Sequence, residues 1–297
     1  MRAHKVRRLE RASAFDYLNF IILIMVALVT VFPFYYVLII SFADYGVLSS
    51  TPVYILPTSI SLDAYKTIME AGNIVNSFFV SVFITVVGTL ISLLLSVAAA
   101  YALSKPMPGR NVLFTLMIFT MFFSGGLIPY YLTVKTVGLV NNIFVMIMPM
   151  AINAFYVILL KNYFATVPPS LEESAKMDGA NDLYILWRIV LPTSAPIIAT
   201  ISLFYAVDRW NEWWHALLFI QSKTKYPLQM VLREVLFNFD QMMGGSVGRS
   251  IAASRKFTYQ RSVQMAIVVI ATIPVLMIYP FLQKYFTKGI MLGSVKE

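Results

Sequence analysis

Long apolar runs separated by short polar segments dominate the hydrophobic pattern of the chain. A transmembrane helix needs about 20 consecutive, mostly apolar residues. On that criterion the sequence predicts six transmembrane helices, at residues 15–41, 74–103, 112–133, 142–165, 193–220 and 263–287. We therefore expect an all-α polytopic membrane protein. Because six is even, both ends of the chain are expected on the same side of the membrane.

The composition excludes an ordinary soluble domain. Of the 297 residues, 59% are hydrophobic and only 12% are charged, whereas soluble domains carry about 25% charged residues. The mean hydropathy is +0.75. Cysteine is absent and the two histidines are His4 and His215. We therefore expect no disulfide, no thiolate metal site and no histidine-based zinc site.

The net charge of +9 is a topology signal in a chain of this kind. Lys and Arg collect on the cytoplasmic side of membrane proteins, so the charge does not argue for nucleic acid as a partner. Five of the first eleven residues are basic, which predicts a cytoplasmic tail at residues 1–14. The apolar run at 15–41 is longer than the core of a signal peptide, which has about 7 to 15 residues. We expect it to be retained as the first span.

The remaining segments follow from this topology. Residues 42–73 are predicted to be an extracytoplasmic loop, and residues 74–287 a five-helix core with a cytoplasmic loop at 166–192 and an outer loop at 221–262. Residues 288–297 are predicted to be a cytoplasmic tail. The outer loop carries seven Lys and Arg residues, against the charge rule. Two interpretations stay open: the charges attract an acidic solute over long range, or they form a solvated surface.

The third predicted span contains Gly125, Gly126 and Pro129, which weaken a helix. Small residues inside a span are typical of close helix packing. They are also typical of a broken helix beside a cavity, where protein or water satisfies the freed backbone groups. The sequence leaves both interpretations open.

The densest group of polar residues inside a predicted span runs from Asp208 to His215. The first interpretation is a water-lined pathway that contacts a polyhydroxy solute, to which the fourth span would add further residues. Its candidate residues are Asn153, Tyr156, Asp208, Arg209, Trp210, Asn211, Glu212 and Trp213, with Tyr130 and Tyr131 as weaker candidates. Arg209 and Glu212 are three residues apart and are expected to pair. The second interpretation is an interfacial aromatic belt with salt bridges between subunits.

A short polar segment between the fourth and fifth spans predicts a helix of about two turns. Ser170 and Glu173 have the spacing of a capping box, and Gly179 is a natural C-terminal stop. A helix this short is unstable alone in water. We therefore expect a partner to order it.

The chain lacks the motifs of an ATP-binding or catalytic protein. The phosphate-binding pattern G-x-x-x-x-G-K-[ST] does not occur, so any dependence on ATP must come from a partner. No nucleophile and base occur in the sequence context of an active site. The chain is therefore predicted not to be an enzyme.

The segment from Glu172 to Ala180, with Ile189 and Leu191-Pro192 downstream, resembles the EAA loop of the permease subunits of bacterial ABC importers. Ser174 stands where that family usually has Ala. Three further segments carry the resemblance to particular branches: Trp210-Asn211-Glu212 to the carbohydrate branch, residues 288–296 to the maltose-type smaller permease, and residues 123–129 to importers of complex, often acidic oligosaccharides such as alginate.

The resemblance implies a type I ABC importer permease fold in the bacterial inner membrane, with both termini cytoplasmic. It implies alternating access driven by two cytoplasmic ATPase subunits, which bind ATP and Mg²⁺, while this chain binds no cofactor. It also implies a homologous second permease subunit and an extracytoplasmic solute-binding protein that delivers the oligosaccharide. The residues implied to couple the chain to the ATPase are Ser170, Leu171, Glu172, Glu173, Ser174, Ala175, Met177, Asp178, Gly179 and Ala180.

The alternative function is a secondary sugar transporter coupled to ions or protons, with Asp208 and Glu212 as the relay. Such carriers usually have repeat-related halves with broken helices in matching positions. The sequence shows no internal repeat, which favours the ABC permease.

Overall fold

The computed structural model describes residues 14–44, 54–70, 73–237 and 260–289. Within these ranges the chain is helical and contains no β-strand, as predicted. The helices are α1 (Ala14–Ser41), α2 (Asp63–Glu70), α3 (Asn73–Ser104), α4 (Arg110–Phe122), α5 (Leu127–Thr136), α6 (Ala154–Phe164), α7 (Pro169–Met177), α8 (Asp182–Thr193), α9 (Ala195–Trp210), α10 (Trp214–Phe219), α11 (Leu228–Phe237) and α12 (Gln260–Gly289).

The chain divides into two compact units, and the first comprises residues 1–67 and 256–269. Its described part has a small core of Ile39, Ile40, Ala43 and Tyr54. The side chains of α1 from residue 15 to residue 35 are all exposed, although the helix is strongly apolar. A long apolar surface of this kind is suited to lipid rather than to water. A helix at the first predicted span is confirmed within one residue.

Helix α3 is the centre of the second unit, which comprises residues 68–255 and 270–297. It packs against α6, α9 and α11. The buried side of α3 carries small residues, since Ser77, Ser81, Ser92 and Ser96 are all fully buried. Small side chains allow neighbouring helices to approach closely and supply hydroxyl partners for them.

Two hydrophobic cores lie along α3. The first joins its C-terminal half to α6, α8 and α9 through residues that include Val97, Ala100, Leu103, Val157, Leu160, Phe164, Ile185, Val190 and Ile201. The second joins its N-terminal half to α5, α10 and α11 through residues that include Ile84, Val134, Val145, Ala216, Phe219 and Met230. The cavity described below lies where α6 and α9 meet.

The third predicted span is broken into α4 and α5, which meet at an angle of 118°. Gly126 lies at the break with a φ of +87°, a conformation that is costly for residues with a Cβ atom. A Cβ added there would meet nothing within 4 Å. The glycine therefore serves the backbone conformation, and the close-packing interpretation is wrong at this position.

The prediction of one continuous fifth span at 193–220 is also wrong. The 88° bend between α8 and α9 lies between Pro192 and Pro196, which cannot donate backbone hydrogen bonds, and so falls where the span was predicted to begin. Helix α9 then ends at Trp210. The next helix, α10, begins at Trp214, where a side chain of the preceding turn, Glu212, accepts a hydrogen bond from the amide of His215.

The fourth predicted span, 142–165, begins as 3₁₀ turns at Ile143–Met146 and Met148–Met150 and continues as α6 after a 49° bend. The sixth, 263–287, lies inside α12. Among the described helices, two are long and apolar enough to cross a membrane alone, and up to five spans result when each bent pair counts as one. The breaks in the third, fourth and fifth spans are what the hydrophobic pattern did not predict.

Candidate functional site

A cavity of about 520 Å³ opens where the bend before α6 meets the C-terminal end of α9. It is lined by Pro149, Met150, Ile152, Asn153, Tyr156, Tyr205, Asp208, Arg209, Asn211 and Glu212. Six of the eight predicted pathway residues are therefore brought together, although the two groups are about fifty residues apart in sequence. Their role in transport stays a prediction.

Asn153 fixes the wall of the cavity formed by α6. Its side-chain oxygen accepts hydrogen bonds from the amides of Phe155, at 2.9 Å, and Tyr156, at 3.4 Å, and so caps the helix. The backbone amide of Asn153 donates to the hydroxyl of Tyr205 at 3.0 Å. That hydroxyl is also 2.6 Å from Oγ of Ser96 on α3. The helix start is thus held by contacts to both α9 and α3.

Asp208 and Tyr156 connect the two walls. The Tyr156 hydroxyl donates to Oδ2 of Asp208 at 2.9 Å, and the Tyr156 ring meets the Tyr205 ring edge-on with centroids 4.9 Å apart. Asp208 is exposed at the cavity, whereas Tyr205 is only 2% exposed. The carboxylate is therefore held in place while one of its faces stays accessible.

Arg209 does not pair with Glu212, contrary to the prediction. The side chain is 2% exposed, and its guanidinium donates to the carbonyl oxygens of Met146, at 3.0 Å, and Met150, at 2.5 Å, and to Oγ of Ser92, at 3.0 Å. These carbonyls belong to the 3₁₀ turns, whose ends lack intrahelical donors. The backbone thus outcompetes the neighbouring carboxylate, and Arg209 holds the bend in place.

Glu212 pairs with His215 instead. Its two carboxylate oxygens lie 2.8 Å from the backbone nitrogen of His215 and 3.0 Å from its Nδ1, and Nε2 of His215 is 2.8 Å from the hydroxyl of Tyr130 on α5. A carboxylate only accepts hydrogen bonds. Nδ1 therefore carries the proton, and in the neutral ring Nε2 accepts from Tyr130. This chain of bonds attaches α5 to the cavity wall.

Trp210 and Trp213 were predicted to line the pathway but lie outside the cavity lining. Trp210 is buried against Phe78 and donates to the carbonyl oxygen of Ala271 at 3.0 Å. Trp213 packs on the second core, with the guanidinium of Arg233 4.0 Å from its ring centroid. Both indoles are packing elements of the fold.

The alternative of an aromatic belt with salt bridges between subunits does not fit the buried members of this cluster, although Asp208 and Trp214 are exposed. Arg209, Trp210 and Glu212 are 2%, 6% and 7% exposed within the chain, so they offer little surface to lipid or to another subunit. Of the two weaker tyrosine candidates, Tyr130 bonds to His215 and Tyr131 stacks on Phe219. Neither lines the cavity.

Sequence reasoning missed the residues that support the cavity from behind. These are Ser92, Ser96 and His215, together with the carbonyl groups of Met146 and Met150; Tyr205, which lines the cavity, was missed as well. A signal existed on α3, where serines and Gly88 recur on one face of an apolar span. Gly88 leaves room for Arg209, because a Cβ there would lie 3.1 Å from Nε of the arginine.

The predicted coupling helix is α7, and its C-terminal end is built as expected. Gly179 has a φ of +83°. The backbone amide of Gly179 donates to the carbonyl oxygen of Lys176 at 3.0 Å, and the backbone amide of Ala180 donates to the carbonyl oxygen of Ala175 at 2.9 Å. These two hydrogen bonds form a Schellman motif. The predicted capping box is wrong: Pro168 occupies the N-cap position, without a side-chain cap hydrogen bond. Helix α7 therefore starts at Pro169, before Ser170.

Helix α7 has one face toward the chain and one away from it. Glu172, Ala175 and Ala180 are half-buried, and the two alanines pack against the first core. Glu172 forms an ion pair with Lys105, just beyond the end of α3. The exposed residues are Pro169, Ser170, Leu171, Glu173, Ser174, Lys176, Met177, Asp178 and Gly179, with Met177 89% exposed.

The basic residues of the outer loop that the structure describes are engaged within the chain. Lys225 donates to the carbonyl of Asn141 at 2.5 Å, and Lys223 lies 3.8 Å from Glu234. Arg261 donates to the Tyr36 hydroxyl at 3.2 Å. The other basic residues of the loop named in the prediction, Arg249, Arg255 and Lys256, lie outside the described residues.

Comparison with known proteins gives close relatives. No protein-family model matches the chain. It is 48% identical over 283 residues to the polygalacturonan/rhamnogalacturonan transport system permease protein YtcP of Bacillus subtilis (strain 168), which covers 95% of this chain and 98% of that protein. It is 44% identical over 296 residues to the protein LplC of the same organism, covering 99% and 98%.

A solved structure has the same fold. It is a chain from the crystal structure of a bacterial ABC transporter involved in the import of the acidic polysaccharide alginate, with a TM-score of 0.85 and 35% identity. The match covers 96% of the present chain and 100% of the solved one.

Proposed function

This chain belongs to the carbohydrate-importer family of ABC transporter permease subunits, and we propose that its cargo is a uronate-containing oligosaccharide. It is a membrane-spanning transporter subunit of the inner membrane, not an enzyme, with the fold of a type I ABC importer permease. The cargo is inferred from the names of the relatives, which handle polygalacturonan, rhamnogalacturonan and alginate.

A permease of this family works with ATPase and solute-binding partners. In the proposed assembly, two cytoplasmic ATPase subunits bind ATP and Mg²⁺, and a homologous second permease completes the translocation path. The solute-binding protein delivers the oligosaccharide from outside, and both termini of this chain are cytoplasmic. Alternating access then exposes the cavity between α6 and α9 to each side in turn.

One observation carries the coupling role: the exposed outer face of α7 on a helix that is otherwise anchored to the chain. Exposed apolar side chains such as Leu171 and Met177, at 45% and 89%, are suited to a protein partner. The Lys105–Glu172 pair and the two alanines attach the other face to α3 and the first core. A movement of α7 driven by the ATPase is therefore transmitted to α3.

Reconstitution tests the proposal. The chain is assembled in proteoliposomes with its ATPase, permease and solute-binding partners, and uptake of an oligogalacturonate is measured with internal ATP. We expect uptake that requires ATP and is insensitive to an uncoupler. Uptake that survives ATP depletion but stops with an uncoupler would instead support the secondary transporter.

A further inference from the structure

The cavity between α6 and α9 is lined by more negative than positive groups, which is unexpected for an acidic cargo. Asp208 and Glu212 each carry a carboxylate, and Arg209 carries the only positive charge among the described lining residues. His215 lies behind Glu212 and is only 4% exposed. With neutral histidine, the lining has a net charge of −1, which disfavours the entry of a further carboxylate.

Arg209 cannot offer the usual carboxylate site. Recognition of a carboxylate by arginine uses two parallel N–H groups that point at the ligand. Here both terminal nitrogens donate to the carbonyls of Met146 and Met150 and to Ser92. The remaining Nε is buried without a partner among the described residues, next to Gly88 of α3. The positive charge of the cavity is therefore already used by the protein.

The two carboxylates, in contrast, are oriented: Asp208 is exposed at the cavity, and Glu212 lines it although it is only 7% exposed. Each oxygen of Glu212 accepts one hydrogen bond from His215, which fixes the plane of the group and leaves further acceptor capacity on both oxygens. Asp208 accepts from Tyr156 through Oδ2, and no described residue donates to its Oδ1. Held acceptors of this kind bind hydroxyl donors.

The remaining lining supports the same chemistry. Tyr156 lines the cavity, and the part of its ring that is not packed on Tyr205 and Phe204 would offer an apolar surface to the C–H face of a sugar ring. Asn211 is exposed at the cavity and donates to its own helix at 2.9 Å. Neither side chain supplies a positive charge.

We infer that this cavity is a sugar subsite that binds hydroxyl groups of the oligosaccharide through Asp208 and Glu212 and leaves the uronate carboxylates outside it. The inference rests on the proposed function. It assigns recognition of the acidic groups to other parts of the importer.

The test compares two trisaccharides with the same hydroxyl groups, trigalacturonate and its methyl ester, in the reconstituted importer. The variant is Asp208→Asn, which removes the charge, keeps the size and keeps an oxygen for Tyr156. The loss of a charge-assisted hydrogen bond lowers transport kcat/KM by about tenfold. We expect the same loss for both trisaccharides, with their ratio changed less than about twofold.

The solute-binding protein is identical in every arm, so its own preference cancels in the ratio of variant to wild type. Asp63→Asn is the matched control, because Asp63 is an exposed carboxylate on α2 that lies far from the lining residues in sequence. We expect the Asp63→Asn variant to transport both trisaccharides as the wild type does. Basal ATP hydrolysis confirms that each variant assembles.

A selective gain for trigalacturonate, or no change for either sugar, would overturn the inference. Failure of the wild type to transport either sugar with ATP would instead overturn the proposed function, and the inference with it.

Discussion

The α7 loop takes its shape from residues that are neighbours in the sequence, whereas the cavity takes its shape from residues that are far apart in it. The stop of α7 depends on Gly179 and on the amides of two consecutive residues. The cavity depends on Arg209, which bonds to groups 59, 63 and 117 positions away. Local signals are readable from one sequence, and long-range partners are not.

The two regions also differ in what their exposed groups do. The outer face of α7 carries the exposed apolar side chains of Leu171 and Met177 beside the charged Glu173, Lys176 and Asp178, and we propose that it is a docking surface. The cavity shows polar groups that are held from behind by buried hydrogen bonds. Damage to the loop should therefore uncouple an intact protein, whereas damage behind the cavity should destabilise the protein itself.

The largest effect is expected for Arg209→Ala. The change leaves the carbonyls of Met146 and Met150 without their donor and opens a void beside Gly88. Each buried carbonyl left without its donor costs about 1–3 kcal/mol, and the void adds to this loss. Thermal inactivation of the solubilised complex should shift strongly to lower temperature.

Arg209→Lys separates charge from geometry in this test. Lysine keeps the positive charge but cannot span three acceptors as the guanidinium does, so we expect an intermediate loss. Arg110→Ala is the control, because it removes the same charge from a half-exposed position at the start of α4. Equal stability of all three variants would show that the bend before α6 does not depend on Arg209.

The second effect is a loss of coupling in Gly179→Asp. A residue with a Cβ atom at this φ costs about 1–2 kcal/mol, and the Schellman motif is strained. We expect transport and substrate-stimulated ATP hydrolysis to fall at least about tenfold, with the chain still inserted in the membrane. Gly179→Asn should be milder, since it lacks the negative charge that aspartate places at the C-terminal end of α7.

Gly138→Ala is the matched control for the glycine series. Gly138 has a φ of +77°, and a Cβ there would meet nothing within 4 Å, as at Gly179. The local strain is therefore similar, but the site lies outside the α7 loop. Full coupling in Gly179→Asp, or equal uncoupling in Gly138→Ala, would contradict the assigned role of the loop.

The third effect concerns the ion pair that attaches α7 to the end of α3. Lys105→Glu or Glu172→Lys places like charges together, and we expect transport to fall about three- to tenfold, as for a partly exposed pair. The double variant with the charges exchanged should recover most of the activity. If the double variant were no better than the worse single variant, Glu172 would act through another partner, such as the ATPase.

The sequence predicted much of the fold and part of the cavity lining. The apolar runs identified α1 and α3 nearly to the residue, and the polar cluster contained six residues that line the cavity. The breaks were not predictable in the same way. Hydropathy measures how apolar a run is, and it does not show that the helix bends between Pro192 and Pro196 or that it ends at Trp210 and resumes at Trp214.

Pairing was the other limit of sequence reasoning. Arg209 and Glu212 have helical spacing, which favours a salt bridge in an isolated helix. In the folded chain, the ends of the 3₁₀ turns present carbonyl groups that need donors, and the arginine satisfies them. The carbonyl groups that compete with Glu212 for Arg209 lie about sixty residues before the arginine in the sequence. Spacing within one helix could therefore not reveal them.

The smallest effect is expected for Tyr130→Phe, which tests whether the groups behind the cavity set its acceptors. The change removes the hydroxyl that lies 2.8 Å from Nε2 of His215 and keeps the ring against Phe219. Loss of one neutral hydrogen bond costs about 1 kcal/mol, and Glu212 is then less firmly oriented by His215. We expect a rise in the KM for oligosaccharide transport of about two- to fourfold, with little change in kcat, since α7 is untouched.

Tyr131→Phe is the control on the same helix, because its ring stacks on Phe219 and its hydroxyl is not part of this chain of bonds. An equal effect of both variants would mean that α5 acts only through packing, and that Glu212 is held by His215 alone.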